Sequence, residues 1–185
     1  ETEYNREINE LSVKHAGINL IEYALNRNLE NTFAKIRGFA IQAAKAQINL
    51  YLRRYDVWNI KTILRGKSAG APNETIINEL IACGLPRAFL ERVIKESANM
   101  EQAAEHFKNT EYYSTIKKTN DLTKLEDELD KLYYASVLQG AGSELRSYIR
   151  KEIFVKNVLN RLRGKRANIR VDIIPGEARF AVPYE

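Results

Sequence analysis

Ile21, Leu25, Leu29, Phe33 and Ile36 recur at steps of three and four residues, the spacing of one apolar face on an α-helix. Ile41, Ile48, Tyr55 and Thr62 follow at steps of seven, flanked by Ala44, Tyr51 and Trp58. That pattern predicts a second helix with a wide buried stripe, stopped by Gly66, while Gly38 interrupts or ends the first. No proline precedes Pro72, so both helices are free to run long. Pro72-Asn73 opens a short helix with Asn73 as N-cap and Glu74 in its first turn, and Gly84 ends it. Pro86 suits the first turn of the next, which reaches about Ser97. Asn99 with Gln102 and Thr123 with Glu126 have capping-box spacing. Leu122, Leu125, Leu129, Leu132 and Val137 form a further apolar face, broken at Gly140 and Gly142, and a basic helix follows from about Ser143 to Arg163. Beyond Ala167, Ile169, Val171 and Ile173 alternate as a strand would, but an isolated strand has nothing to pair with. The pattern predicts an all-α fold with its tail unassigned.

The pattern also repeats. Leu64-Arg65-Gly66-Lys67 returns as Leu162-Arg163-Gly164-Lys165, an offset of 98 that also carries Asn59 onto Asn157, Val57 onto Val155 and Ile60 onto Val158. Glu1-Thr2-Glu3-Tyr4 resembles Asn109-Thr110-Glu111-Tyr112, and Leu29 with Phe33 repeats as Leu129 with Tyr133. Offsets that drift by a few residues are what loop insertions between matched helices produce. A period of this length exceeds the roughly 34 to 47 residues of common helical repeats, so the units are small duplicated domains. The expected division is a first repeat over 1–109, its start truncated, and an incomplete second over 110–185.

Composition narrows the class. Apolar residues make up 44% and charged residues 29% of the 185, and no apolar run approaches the roughly 18 residues that span a bilayer. The start on Glu1 and the opening within a motif suggest a piece of something longer. The single Cys83 rules out an internal disulfide and fits a reducing compartment. Net charge is +5, unevenly spread: the windows 45–67 and 141–170 together hold +12, leaving −7 elsewhere. The basic excess belongs to the repeated helix. Lys and Arg there either decorate a solvated helix face or form a docking surface for an acidic partner. The candidate interface residues are Arg53, Arg54, Trp58, Lys61, Arg65, Lys67, Arg163 and Lys165. Trp58 falls on Lys156 in the second copy, so it is either local packing or an interface anchor.

Catalytic chemistry is hard to find. His15 and His106 are far apart and lack companions at metal-ligand spacing. Cys83 has no matched histidine and reads as a packing residue. Leu-Arg-Gly-Lys lacks the upstream glycine of a phosphate loop. Asn59 and Asn157, amides beside an apolar stripe, read as side chains that satisfy a backbone group at a break in a neighbouring element. The residues imply no catalytic, cofactor or metal site.

The stretch Leu20-Ile21-Glu22-Tyr23-Ala24-Leu25-Asn26-Arg27-Asn28-Leu29, then Thr32-Phe33 and Tyr51 through Lys67, resembles the C-type stalk protein of archaeal and bacterial A/V-type ATP synthases, a relative of the d component of the vacuolar ATPase. Leu129-Asp130-Lys131-Leu132-Tyr133-Tyr134 and Ile173-Ile174-Pro175-Gly176 resemble its second repeat. The resemblance implies three similar helical domains in a pseudo-threefold funnel, of which this chain holds one and part of another. It implies a non-catalytic central-stalk subunit that joins the rotor axle to the membrane proteolipid ring during proton or sodium transport. The implied place is peripheral, on the cytoplasmic face of the cell membrane, with no cofactor. The alternative is a basic helical nucleic-acid-binding module, drawn from the pI of 9.2 and the basic helices carrying Tyr51, Tyr55, Trp58 and Tyr148.

Overall fold

The computed structural model describes residues 4–169 and 172–176, and among them it is all-α. The chain runs through α1 (Asn5–Leu11), α2 (Gly17–Phe39), α3 (Gln42–Ser68), α4 (Asn73–Asn78), α5 (Arg87–Glu96), α6 (Met100–His106), α7 (Tyr113–Ile116), α8 (Leu122–Gly140) and α9 (Ser143–Ala167). The long helices fall where the apolar periodicity put them. Residues 172–176 form no strand, and the rest of the alternating tail, 170, 171 and 177–185, lies outside the described residues.

Helix α3 is the spine. Ile60, Ile63 and Leu64 are fully buried on it, with α8 packed along one side and α6 on another. The main hydrophobic cluster runs unbroken across residue 109, from Ile60, Leu90 and Phe107 to Leu129, Ile149 and Ile153. A smaller cluster of Leu52, Ile81 and Cys83 is covered by Leu29 and Phe33 of α2. Burial of this order drives the fold, since each fully buried large aliphatic side chain contributes roughly 1.5–3 kcal/mol.

The duplication is one of backbone as well as letters. Asn59 donates from Nδ2 to the Ile81 carbonyl and accepts from the Ile81 N–H at Oδ1, both at 2.9 Å. Asn157 makes the same two bonds with Ile174, again at 2.9 Å. Ile81 and Ile174 lie in irregular segments whose buried N–H and C=O have no helical partner, and an amide supplies one donor and one acceptor at once. The ends of α3 and α9 match too. Gly70 at φ 66° and Asn168 at φ 54° are equivalent by 98 residues and take the left-handed conformation that closes each helix. Behind them Ala71 N–H donates to Gly66 O at 2.8 Å and Ile169 N–H to Gly164 O at 2.9 Å, the long-reach bond of a Schellman cap. Helices α2 and α8 end alike, on the extended residues Ala40 and Ala141, whose N–H groups bond to Ile36 O and Val137 O. That match is an offset of 101, which sets Phe33 against Tyr134 and not Tyr133.

Several local expectations are corrected. Gly66 does not stop α3, which continues to Ser68; a Cβ there would lie 2.6 Å from Ile76 Cγ1, so the glycine serves close packing of α4. Asn73 is the first helical residue of α4, not its cap, and its Oδ1 accepts from Lys67 Nζ. Helix α4 ends at Asn78, before Gly84, because the chain must then pass beneath Asn59. Asn99 and Gln102 do form a capping pair, Asn99 accepting from Gln102 N–H and Gln102 from Ala98 N–H. Thr123 does not cap α8: Asp121 accepts from the N–H groups of Thr123 and Lys124.

Candidate partner-binding groove

The repeated basic helix faces a groove of about 310 Å³ bounded by α3, α8 and α9. Four of the residues singled out in the sequence line it: Arg54, Trp58, Lys61 and Arg65. They stand at three- and four-residue steps along α3, on the side that α8 meets. Opposite them are Asp130, Tyr133 and Tyr134 of α8 and Glu152 and Lys156 of α9.

Polar contacts knit the walls together. Arg54 donates to Glu152 Oε2 at 2.9 Å and to the Tyr133 hydroxyl at 2.9 Å, and its guanidinium lies 3.9 Å above the Tyr51 ring. Glu152 also accepts from the Tyr134 hydroxyl at 2.8 Å. Lys61 and Lys156 share Asp130, at 2.5 and 2.8 Å on separate oxygens. At the outer rim Arg65 engages Glu126 through both carboxylate oxygens, at 2.8 and 2.7 Å. Arg54 and Glu152 are themselves equivalent by 98 residues, so one repeat position has opposite charge in the two copies and the copies pair through it. Burial raises the Tyr133 hydroxyl to about 12, and raises Tyr134 as well, where Glu152 adds to the effect. Both phenols are therefore neutral donors at ordinary pH. Burial works against the Arg54 charge, but Tyr133 and Glu152 outweigh it and hold the guanidinium ionised.

Trp58 is half exposed at the mouth of this groove, its indole N–H directed to the Glu79 carbonyl at 3.4 Å. An amphipathic ring held by its polar edge leaves an apolar face to solvent beside cationic side chains. The remaining singled-out residues lie elsewhere. Arg53 pairs with Glu111 at 3.2 Å on a different cleft. Lys67 is buried, with Nζ donating to Ser97 O at 2.6 Å and Asn73 Oδ1 at 2.8 Å; burial lowers its pKa. Arg163 and Lys165 are exposed near the end of α9. The acidic and phenolic half of the groove escaped the sequence reading. The Tyr133-Tyr134 doublet and the Arg54-to-Glu152 reversal at the repeat offset were its available signals.

Cys83 is buried and its thiol is raised to about 12 by burial, with Glu30 adding to it, a packing residue rather than a nucleophile. Among the described residues, no three of His, Cys, Asp and Glu converge as metal ligands, and no helix is long and apolar enough to cross a membrane.

The chain has clear relatives among known proteins. The C subunit of the A-type ATP synthase of Methanosarcina mazei is 37% identical over 178 residues, 91% of this chain and 49% of that protein. Its namesake in Methanosarcina barkeri is 38% identical over 179 residues, with 91% and 49% covered. That of Archaeoglobus fulgidus is 35% identical over 173 residues, with 89% and 50% covered. The chain thus spans about half the length of the curated relatives it matches. No solved structure matches it significantly. Residues 1–183 match the family described as ATP synthase (C/AC39) subunit, and the chain belongs to that family.

Proposed function

We infer that this chain forms part of a non-catalytic central-stalk subunit, which joins the rotor axle of a rotary ATPase to its membrane proteolipid ring and turns with both. The observation that carries the reading is the way the two repeats are fastened: one continuous core, reinforced by the Arg54–Glu152, Lys61–Asp130 and Lys156–Asp130 contacts. A coupling part must pass torque without yielding, and broad helix packing with interlocked polar contacts gives that stiffness with no active site. In this reading 1–109 and 110–185 are two units of duplication within a pseudo-threefold funnel in the full-length protein. Trp58 at the rim of the groove, with the exposed Arg163 and Lys165 of α9, meets an acidic surface of a neighbouring subunit. The protein itself lies peripherally on the cytoplasmic face of the membrane and works in proton or sodium transport.

The nucleic-acid alternative is disfavoured because Arg54, Lys61 and Arg65 are already committed to carboxylates. Phosphate binding draws on cations that can release counterions. The test mixes the full-length protein, separately, with purified axle subunits and with isolated ring, and follows co-migration. Binding to both, with no ATP hydrolysis by the protein alone, is expected. Trp58→Ala with Arg163→Glu should weaken one of the two contacts while leaving the melting temperature nearly unchanged. Binding to neither, with retention of duplex DNA or RNA at physiological salt, overturns the reading.

A further inference from the structure

A second cleft, of about 490 Å³, opens beside α3 between the loops at 83–86 and 109–112, and it shares no lining residue with the Trp58 groove. Its floor is apolar, formed by the buried Leu52 and Cys83 with Leu85 and Pro86. Arg37 of α2 and Arg53 of α3 also line it. Asp56 lies beneath with both carboxylate oxygens engaged, one by the Leu85 N–H and one by the Tyr112 hydroxyl. Arg37 has no hydrogen-bond or ion-pair partner among the described residues. Burial and Glu30 raise the Cys83 thiol and Arg37 opposes them, so its charge is felt at the floor. Arg53 meets Glu111 at 3.2 Å in a half-exposed pair, and such pairs contribute little and exchange partners readily. Two guanidiniums thus share one loosely held carboxylate above an apolar floor.

The repeated scaffold does not require this polarity. The offset of 101 that matches α2 with α8 sets Arg37 on Leu138, and the offset of 98 sets Asp56 on Phe154. Leu138 faces inward within its own repeat, since a Cβ on Gly176, the counterpart of Cys83, would collide with it. The Arg37 side of α2 is likewise turned to the loop of its own repeat. All walls of the cleft lie between residues 37 and 112, with described chain on either side. A charge kept where the sister copy packs a leucine points to a partner outside the fold.

We propose that the cleft receives an acidic side chain, aspartate or glutamate, flanked by apolar residues on a segment of another polypeptide. The carboxylate takes the N–H groups of Arg37 and draws Arg53 from Glu111, because a planar guanidinium presents parallel donors that match a carboxylate. The flanking apolar residues cover Leu85, Pro86 and the floor at Leu52. A bare ion satisfies the arginines but leaves that floor wet, so a carboxylate on an apolar stretch is the better match. The chemistry of the cleft is independent of which subunit the Trp58 groove meets.

Amide chemical shifts of the 185-residue chain, titrated with the blocked tripeptide acetyl-Leu-Glu-Leu-amide, test this. Saturable shifts are expected at 83–85 and 109–112, with a dissociation constant on the order of 1 mM. The Leu-Gln-Leu peptide should bind at least about tenfold more weakly, because it loses the charge-assisted pair. Arg37→Gln should weaken the acidic peptide by about as much without shifting the melting temperature, since Arg37 holds nothing within the fold. Glu111→Gln should tighten it about threefold by releasing Arg53, a gain that damage to the fold cannot mimic. Lys14→Gln removes the same charge at the opposite end of α2, where the side chain is exposed, and should change nothing. Inorganic phosphate and acetate, run separately, should shift the same amides only at about tenfold higher concentration. Three results each overturn the proposal: no saturation to about 10 mM, equal losses with Lys14→Gln and Arg37→Gln, or phosphate binding as tightly as the peptide. The last would mark the cleft as a site for free anions.

Discussion

At the scale of single residues, the amides carry the repeat. Asn59 is completely buried and closes both backbone groups of Ile81. Truncation leaves the buried Ile81 N–H unpaired, at a cost of about 1–3 kcal/mol, while the Ile81 carbonyl keeps the Cys83 N–H at 3.0 Å. Asn59→Ala should therefore lower unfolding free energy by about 2 kcal/mol in urea titrations, and Asn157→Ala by a similar or smaller amount. Asp56 is the other buried polar anchor, accepting from Leu85 N–H at 2.6 Å and from the Tyr112 hydroxyl at 3.1 Å. Burial raises its pKa, and those two bonds only partly oppose the rise. The folded state thus holds the proton more tightly than the unfolded one. Its contribution is full below the unfolded value, about 4, and is lost as pH climbs through the folded value. Asp56→Asn removes that loss, so its stability relative to the parent chain should improve as pH rises from about 4 to about 7. A flat difference across that range would show that Asp56 has an ordinary pKa. The role of the two asparagines was legible because a polar residue recurring on an apolar stripe needs a partner. Asp56 was not, because it sits between Tyr55 and Val57 with no sequence cue that its face turns inward under Gly84.

At the scale of elements, the helices themselves were readable and their termini less so. Apolar periodicity extends over many residues and survives small errors, whereas a cap depends on which of several nearby polar residues reaches the free N–H groups. Asp121 wins over Thr123 at α8, so Asp121→Ala should cost about 1 kcal/mol and Thr123→Ala only a few tenths. Thermal melts of the two variants distinguish them. Gly66 misled for a related reason. A glycine near a helix end reads as a stop, but this one is kept small by Ile76 from another element, and pairings between distant elements leave no local trace. The same limit hid the acidic wall of the groove. Asp130 serves two lysines from different helices. Asp130→Asn should consequently cost about 2 kcal/mol, more than Lys61→Met or Lys156→Met, since it strands two half-buried cations and each lysine variant strands none. A double-mutant cycle between Lys61 and Lys156 should then show coupling of the same order.

At the scale of the whole molecule, the duplication invites a picture of two domains that fold separately, and the packing points the other way. Helix α3 belongs to the first repeat in sequence, yet its largest neighbour is α8 of the second. No linker separates the copies: α6 ends at His106, turns bond Thr110 back to Phe107, and α7 begins at Tyr113. Cutting there would expose Ile60, Ile63 and Leu64 on one side and Leu125 and Leu129 on the other. Contacts that dense should bind the repeats into one cooperative unit. Helix α2 is the exception, since beyond α1 it rests on the small cluster around Leu52 and Cys83 and is tied there by its Glu30, which accepts from the Ala82 N–H and pairs with Arg87. Trp58, the single tryptophan, reports on the α3–α8–α9 junction, while far-UV dichroism reports on all helices. Urea unfolding followed by the two probes should give coincident main transitions. Hydrogen exchange should release the amides of α1 and α2 first, ahead of α3, α8 and α9, because local opening follows the depth of packing. Two separated fluorescence and dichroism midpoints, with α8 and α9 exchanging independently of α3, would mean that each repeat stands alone and that the stiffness required of a coupling part must come from its partners.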